Sequence, residues 1–173
     1  MSAKCDPSDE TSVLLADANI LIDLANADAL GLIRDIVRHD VASVYLPRIV
    51  YDEVSTVITE NQIADMGITI LPVEIALMAR VVRYPDRRLS VADKSLLLMA
   101  KDASYTVWTN DSHLRAKCKD ENVMVAWEFE ILRLLVERDY LAAADLINVA
   151  KRVEDTNPYI VGIANRLRDE LGT

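Results

Sequence analysis

The stretch Ser12-Val13-Leu14-Leu15-Ala16-Asp17-Ala18-Asn19-Ile20-Leu21-Ile22 runs from an apolar segment, through a single carboxylate, straight into a second apolar segment. A short continuous apolar run fits a strand covered on both faces, and Asp17 then sits at a strand-to-helix turn. Similar runs recur at Ala42 to Leu46, Ile68 to Leu71, Tyr105 to Thr109 and Asn122 to Ala126, so a set of strands is expected. Amphipathic stretches fill the gaps. Arg48 to Thr59, entered through Pro47, carries Ile49, Val50, Val54, Val57 and Ile58 at helical spacing. Val91 to Asp102 behind Ser90, and a helix from Ser112, continue the alternation, which is the pattern of an α/β domain around a parallel sheet. Past Ala126 the chain reads as wholly helical: Trp127 to Glu137, Tyr140 to Val153, and a last helix after Asn157-Pro158, taken as a cap followed by a first-turn proline.

The length of 173 residues, with 51% hydrophobic and 27% charged, belongs to one folded domain with one core. Such a chain needs no disulfide or structural metal to fold. Its two cysteines, Cys5 in a polar tail and Cys118 in a basic helical stretch, make neither a disulfide framework nor a zinc pattern, which points to a reducing cytoplasm. Residues 1–11 are polar and acidic and read as a flexible N-terminus. No apolar run approaches the roughly 18 residues of a membrane span, so neither export nor anchoring is expected. A net charge of -9 opposes general adhesion to nucleic acid, which depends on neutralising phosphates. Any such contact has to be local, and basic stretches exist at Arg80, Arg83, Arg87, Arg88 and Lys94, and at Arg115, Lys117 and Lys119. A solvated face is the more ordinary reading of such stretches.

Four acids fall where this layout gives them meaning, because open parallel sheets bind ligands outside the carboxyl ends of their strands. Asp17 ends the first strand and Asp111 follows the fourth; either is also a natural helix cap. Glu53 lies among Ile49, Val50 and Val57, inside the stripe expected to face the core. A carboxylate there needs a cation, a paired arginine, or enough helix curvature to reach water. Asp93 stands three residues past Ser90, as in a capping box, and also aligns with Leu97 and Ala100 on the inward face. Gathered at one rim, these acids repel one another unless cations, protons or arginines intervene. An all-oxygen set suits Mg2+ or Mn2+ and not zinc, for which only His39 and His113 are on offer.

Taken in order, Asp17-Ala18-Asn19-Ile20-Leu21-Ile22, Glu53, Leu89-Ser90-Val91-Ala92-Asp93 and Thr109-Asn110-Asp111 resemble a PIN domain. The resemblance runs from about Ser12 to Ala126 and implies a three-layer α/β/α fold with a five-stranded parallel sheet in the order 3-2-1-4-5. It would make residues 12–138 a nuclease domain and residues 139–173 a helical extension packed on it. It also implies cleavage of single-stranded RNA with Mg2+ or Mn2+ held by Asp17, Glu53, Asp93 and Asp111. Thr109 and Asn110 match the family's polar flank and would orient a water or contact phosphate, while Arg83, Arg87, Arg88 and Lys94 would guide RNA. Many members are VapC-type toxins of toxin-antitoxin pairs, so an antitoxin and a homodimer are implied partners. The helices after Trp127 and the acidic net charge depart from the common toxin pattern.

The expected mechanism is metal-assisted hydrolysis, with carboxylates holding one or two ions against the phosphate. Phosphotransfer through Asp17 fits less well. A haloacid-dehalogenase-like phosphatase wants a second Asp two residues on, where Asn19 stands, and the acidic pair and later lysine of a receiver domain are missing. The remaining alternative is a catalytically silent PIN-like module used for protein assembly.

Overall fold

The computed structural model describes residues 12–172, and the polar N-terminal stretch with Cys5 lies outside them. In β1 (Ser12–Ala16) the successive residues Leu14, Leu15 and Ala16 are all buried. Successive strand side chains point to opposite faces, so this run demands apolar cover on both sides of the sheet. With β2 (Ala42–Pro47), β3 (Thr69–Leu71), β4 (Thr106–Trp108) and β5 (Val125–Ala126), it forms one five-stranded parallel sheet in the order β3-β2-β1-β4-β5. The parallel sheet is the one that the alternation of apolar runs predicts, and its strand order is the one that the PIN resemblance implies. Leu15 is in register with Val107 and Ala16 with Trp108, so β1 and β4 end side by side. The amide of Asp17 seals the junction by donating to the Trp108 carbonyl at 3.0 Å.

Parallel neighbours need crossovers, and helices supply them. α1 (Ala18–Asn26) and α2 (Gly31–Arg38) lead to β2, and α3 (Arg48–Val54) and α4 (Glu60–Asp65) lead to β3. α5 (Ile75–Arg83) and α6 (Val91–Ala103) carry the chain across to β4, and α7 (Ser112–Asp120) leads to β5. α8 (Glu128–Glu137), α9 (Ala143–Thr156) and α10 (Ile163–Leu171) complete the described chain. α9 packs on α1 and α8, and Leu146, Ala150, Val153 and Leu167 belong to the same apolar cluster as Leu15 and Leu21.

Several boundaries differ from expectation for identifiable reasons. The helix expected over Arg48 to Thr59 stops at Val54, because Thr59 opens a new one. Its hydroxyl accepts from the Gln62 amide at 3.3 Å and its amide donates to Gln62 Oε1 at 2.9 Å, a capping box that competes with continuation. Val57 is consequently exposed. Asn122 was expected within the fifth strand; instead it takes a left-handed φ of 56°, closing α7, and leaves β5 only Val125–Ala126. α9 begins at Ala143 and runs to Thr156. Asn157 caps the C-terminal end of α9, and α10 starts only after Gly162 at φ 74°, so the Asn157-Pro158 pair does not begin the last helix.

Gly67 follows α4 at φ 75°, and a Cβ added there would lie 2.8 Å from Cγ1 of Val37. Left-handed backbone disfavours any side chain by about 1–2 kcal/mol, and this contact adds to it. Gly67→Ala is therefore expected to lower the unfolding free energy by at least that amount, read as a lower urea midpoint, without changing the fold as read by circular dichroism. An unchanged midpoint contradicts the close approach of Gly67 to Val37.

Candidate functional site

Asp17 leaves β1 at the carboxyl edge of the sheet and begins α1 as its N-cap, only 5% exposed. Its Oδ1 accepts from the Ala18 amide at 2.7 Å, and Oδ2 accepts from the Thr109 hydroxyl at 2.6 Å and the Asn19 side chain at 2.8 Å. Burial pushes its pKa up to about 7, against the pull of the Thr109 bond; Asp93 and Asp111 nearby raise it further. The Thr109 hydroxyl also accepts from the Asp111 amide at 3.0 Å, so one buried side chain ties the ends of β1 and β4 together.

The other three acids come from separate helices. Asp111 caps α7, its Oδ1 accepting from the Leu114 amide at 2.6 Å. Asp93 sits in the first turn of α6, where Oδ2 accepts from the Ser90 amide at 2.7 Å and the Ser90 hydroxyl accepts from the Asp93 amide at 3.0 Å. Glu53 was expected in the apolar stripe of its helix. Val50 and Val54 occupy that stripe and bury, while Glu53 stands at its edge and is exposed. Partial desolvation, then the charge of Asp93, raises its pKa. Asp93 thus acts on both Asp17 and Glu53, and Asp111 on Asp17. Among the described residues no lysine, arginine or histidine forms a salt bridge with any of them.

An oxygen-only, uncompensated donor set suits a hard divalent cation such as Mg2+ or Mn2+. His39 stacks on Tyr140 at 3.9 Å and His113 stands 3.5 Å from Asp86, each occupied elsewhere. The fit is one of donor type and charge. Among the described residues, no three His, Cys, Asp or Glu side chains stand close enough to share one ion as they are arranged.

Thr109 is fully buried with its hydroxyl engaged as above, so it faces Asp17 and not solvent. Asn110 is half-buried and equally committed. Its side chain donates to Asp23 Oδ2 at 3.0 Å and Glu128 Oε2 at 2.6 Å, and accepts from the Glu128 amide at 3.3 Å. Arg83 ends α5, and Arg87 and Arg88 follow on the exposed loop before α6; Arg88 lies 3.6 Å from Asp86. Lys94 adjoins Asp93 and is half-buried.

Sequence reasoning passed over a second polar group behind this rim. Asp23 is 4% exposed and Glu128 0%. Burial raises both carboxyl pKa values, that of Glu128 to about 8, so Glu128 holds its proton at neutral pH. Asn157 donates to Asp23 at 3.0 and 3.2 Å, linking the end of α9 to α1. The available signal was Asp23 itself, a carboxylate inside the apolar helix Ile20-Leu21-Ile22-Asp23-Leu24.

Among solved structures, the chain is similar to a PilT N-terminus domain protein from the hyperthermophilic archaeon Sulfolobus solfataricus P2. The TM-score is 0.50 at 12% identity, over 70% of this chain and 91% of that one. No protein-family model matches the chain, and no curated protein matches it in sequence. The likeness carries the fold: this is a PIN-like α/β domain, PIN abbreviating PilT N-terminus. Among the described residues no helix is long and apolar enough to cross a membrane.

The raised pKa of Asp17 fixes a sign. As pH climbs from the ordinary carboxylate value of 3.8 toward about 7, the unfolded chain releases this proton while the fold retains it, so stability drains over that window and then levels off. Metal-free Asp17→Asn escapes this loss. It is expected to melt higher than the wild type at pH 7.5, with the gap closing near pH 3.8; a lower melting temperature at pH 7.5 contradicts the burial argument.

Proposed function

We propose that this chain is a Mg2+- or Mn2+-dependent ribonuclease that hydrolyses single-stranded RNA at the rim formed by Asp17, Glu53, Asp93 and Asp111. One observation supports the reading: Asp93 raises the pKa of both Asp17 and Glu53 and Asp111 that of Asp17, and none of these four carboxylates, which come from four segments, has a salt-bridge partner among the described residues. Carboxylates near one another are ordinarily relieved by cations, protons or arginines; no arginine or lysine among the described residues pairs with these four, and a bound cation is the relief this reading assigns.

In this reading Asp17 and Asp111 hold the ion from adjacent strand ends, and Glu53 and Asp93 complete the cup directly or through water. A bound divalent ion supplies Lewis acidity and positive charge against the phosphate. The Thr109 hydroxyl positions Asp17 by its 2.6 Å bond and keeps the carboxylate aimed across the sheet edge. Asn110 holds the following turn through Asp23 and Glu128. Arg83, Arg87 and Arg88 precede Asp93 in the chain and Lys94 follows it, and in this reading they would draw the RNA backbone toward an otherwise acidic surface.

A toxin role with an antitoxin extends the same proposal. Ile75 and Val82 on α5, 90% and 78% exposed, offer an apolar face to an antitoxin or a second copy. A second reading, a catalytically silent assembly module, is favoured by the spacing of the acids, which as arranged do not close on one ion.

Calorimetry separates the two. Wild-type protein is expected to bind Mg2+ or Mn2+ and lose that binding, along with RNA cleavage, in Asp17→Asn; no binding to the wild type favours the silent module. For the toxin role, expression of the wild type is expected to arrest growth where Asp17→Asn does not, and equal growth of the two removes that role alone.

A further inference from the structure

Beside the acidic rim, the C-terminal helices enclose a cleft of about 410 Å³. Asn110, Arg115, Trp127, Tyr159 and Arg166 line it. It adjoins the site through α7, where the Arg115 amide donates to the Asp111 carbonyl at 3.0 Å, one helical turn from the acid. Its composition opposes that of the chain as a whole. The acids at its wall are already engaged: Glu170 with Arg133 at 3.0 Å, and Glu130 with the Trp127 amide at 2.6 Å. Arg115 and Arg166 form no salt bridge among the described residues. Arg166 instead lies over the Trp127 ring at 5.2 Å, presenting a flat cationic surface, and Tyr159 is 93% exposed at the mouth.

An exposed aromatic and two unpaired guanidinium groups around a nucleotide-sized hollow are what a single-stranded nucleic acid requires. Bases stack on aromatic and guanidinium planes, and arginines take the phosphates. A duplex keeps its bases stacked inward and offers no face to Tyr159 or Trp127. We propose that this cleft is a subsite for a nucleotide flanking the scissile phosphate, its base stacked on Tyr159 or on the Trp127–Arg166 pair and its phosphate held by Arg115 and Arg166. The proposal rests on the nuclease reading for its placement beside a cut, while its test does not need cleavage.

Trp108 is fully buried, so Trp127 is the tryptophan that reports on the cleft. Full-length protein in EDTA is titrated with a short single-stranded oligouridylate, following tryptophan fluorescence and, separately, anisotropy of a labelled strand. Saturable quenching is expected, and Tyr159→Ala should weaken binding about tenfold, in line with the loss of one stacked base. Arg115→Ala and Arg166→Ala should each weaken it and flatten the slope of log affinity against log salt by about 0.7, one phosphate contact on a single strand. Lys151→Ala, at an exposed position of α9, should leave affinity unchanged. Unaltered affinity and salt slope in the cleft variants overturn the proposal, as does a duplex bound as tightly as the single strand. If the wild type binds as described yet never cleaves RNA with Mg2+ or Mn2+, the nuclease reading fails and the cleft stands. If it cleaves while the cleft variants bind normally, the cleft alone fails.

Discussion

The hydrogen bond from the Thr109 hydroxyl to the buried carboxylate of Asp17 joins the two strand ends on which the candidate site is built. Asp17 is held at low exposure among other acids, an arrangement that costs electrostatic free energy in every ionised state. Thr109 offsets part of that cost and, through the Asp111 amide, sets where the second acid leaves its strand. The adjacency of β1 and β4 in the sheet order makes this possible, since no other pairing brings residues 17 and 109 together. Charge strain at the rim and strand order are therefore one constraint seen at two scales.

Behind the rim, a network of neutral and ionisable groups connects the site to the added helices. Asn110 spans Asp23 on α1 and Glu128 on α8, and Asn157 at the end of α9 closes on Asp23 from the other side. One carboxyl oxygen of Glu128 is buried without a hydrogen-bond partner, which a protonated, neutral acid tolerates far better than an ion. The C-terminal helices are thus anchored by polar bonds of defined direction as well as by the apolar cluster around Leu146 and Val153. A purely apolar seam would permit sliding; these bonds fix the register of α9 against the turn that carries Asn110.

Much of this was legible from residue order. The apolar runs predict every strand, and the alternation predicts a parallel sheet, because burial on both faces leaves a continuous signature. Asp17, Asp93 and Asp111 were visible as strand-end or helix-start acids; Asp17 and Asp111 cap their helices, and Asp93 completes the capping box that Ser90 opens. Boundaries were less legible where a local hydrogen bond competes with periodicity: Thr59 with Gln62 broke one helix, and Asn122 in a left-handed turn shortened β5. Asn157 misled because an Asn-Pro pair reads as a helix start, while its side chain serves Asp23, which is remote in sequence. Long-range polar pairing of this kind has no periodic trace in one sequence. Neither does the cleft, since Arg115, Trp127, Tyr159 and Arg166 meet only when α10 folds back beside α8.

The two outermost strands are short, with β3 contributing Thr69–Leu71 and β5 only Val125–Ala126. Free strand edges are where folded proteins recruit further strands, from partners or from misfolded copies of themselves. A border of so few residues gives such recruitment almost no ladder to extend. Self-association of this domain is accordingly steered away from sheet growth and amyloid-like stacking and toward its helical faces.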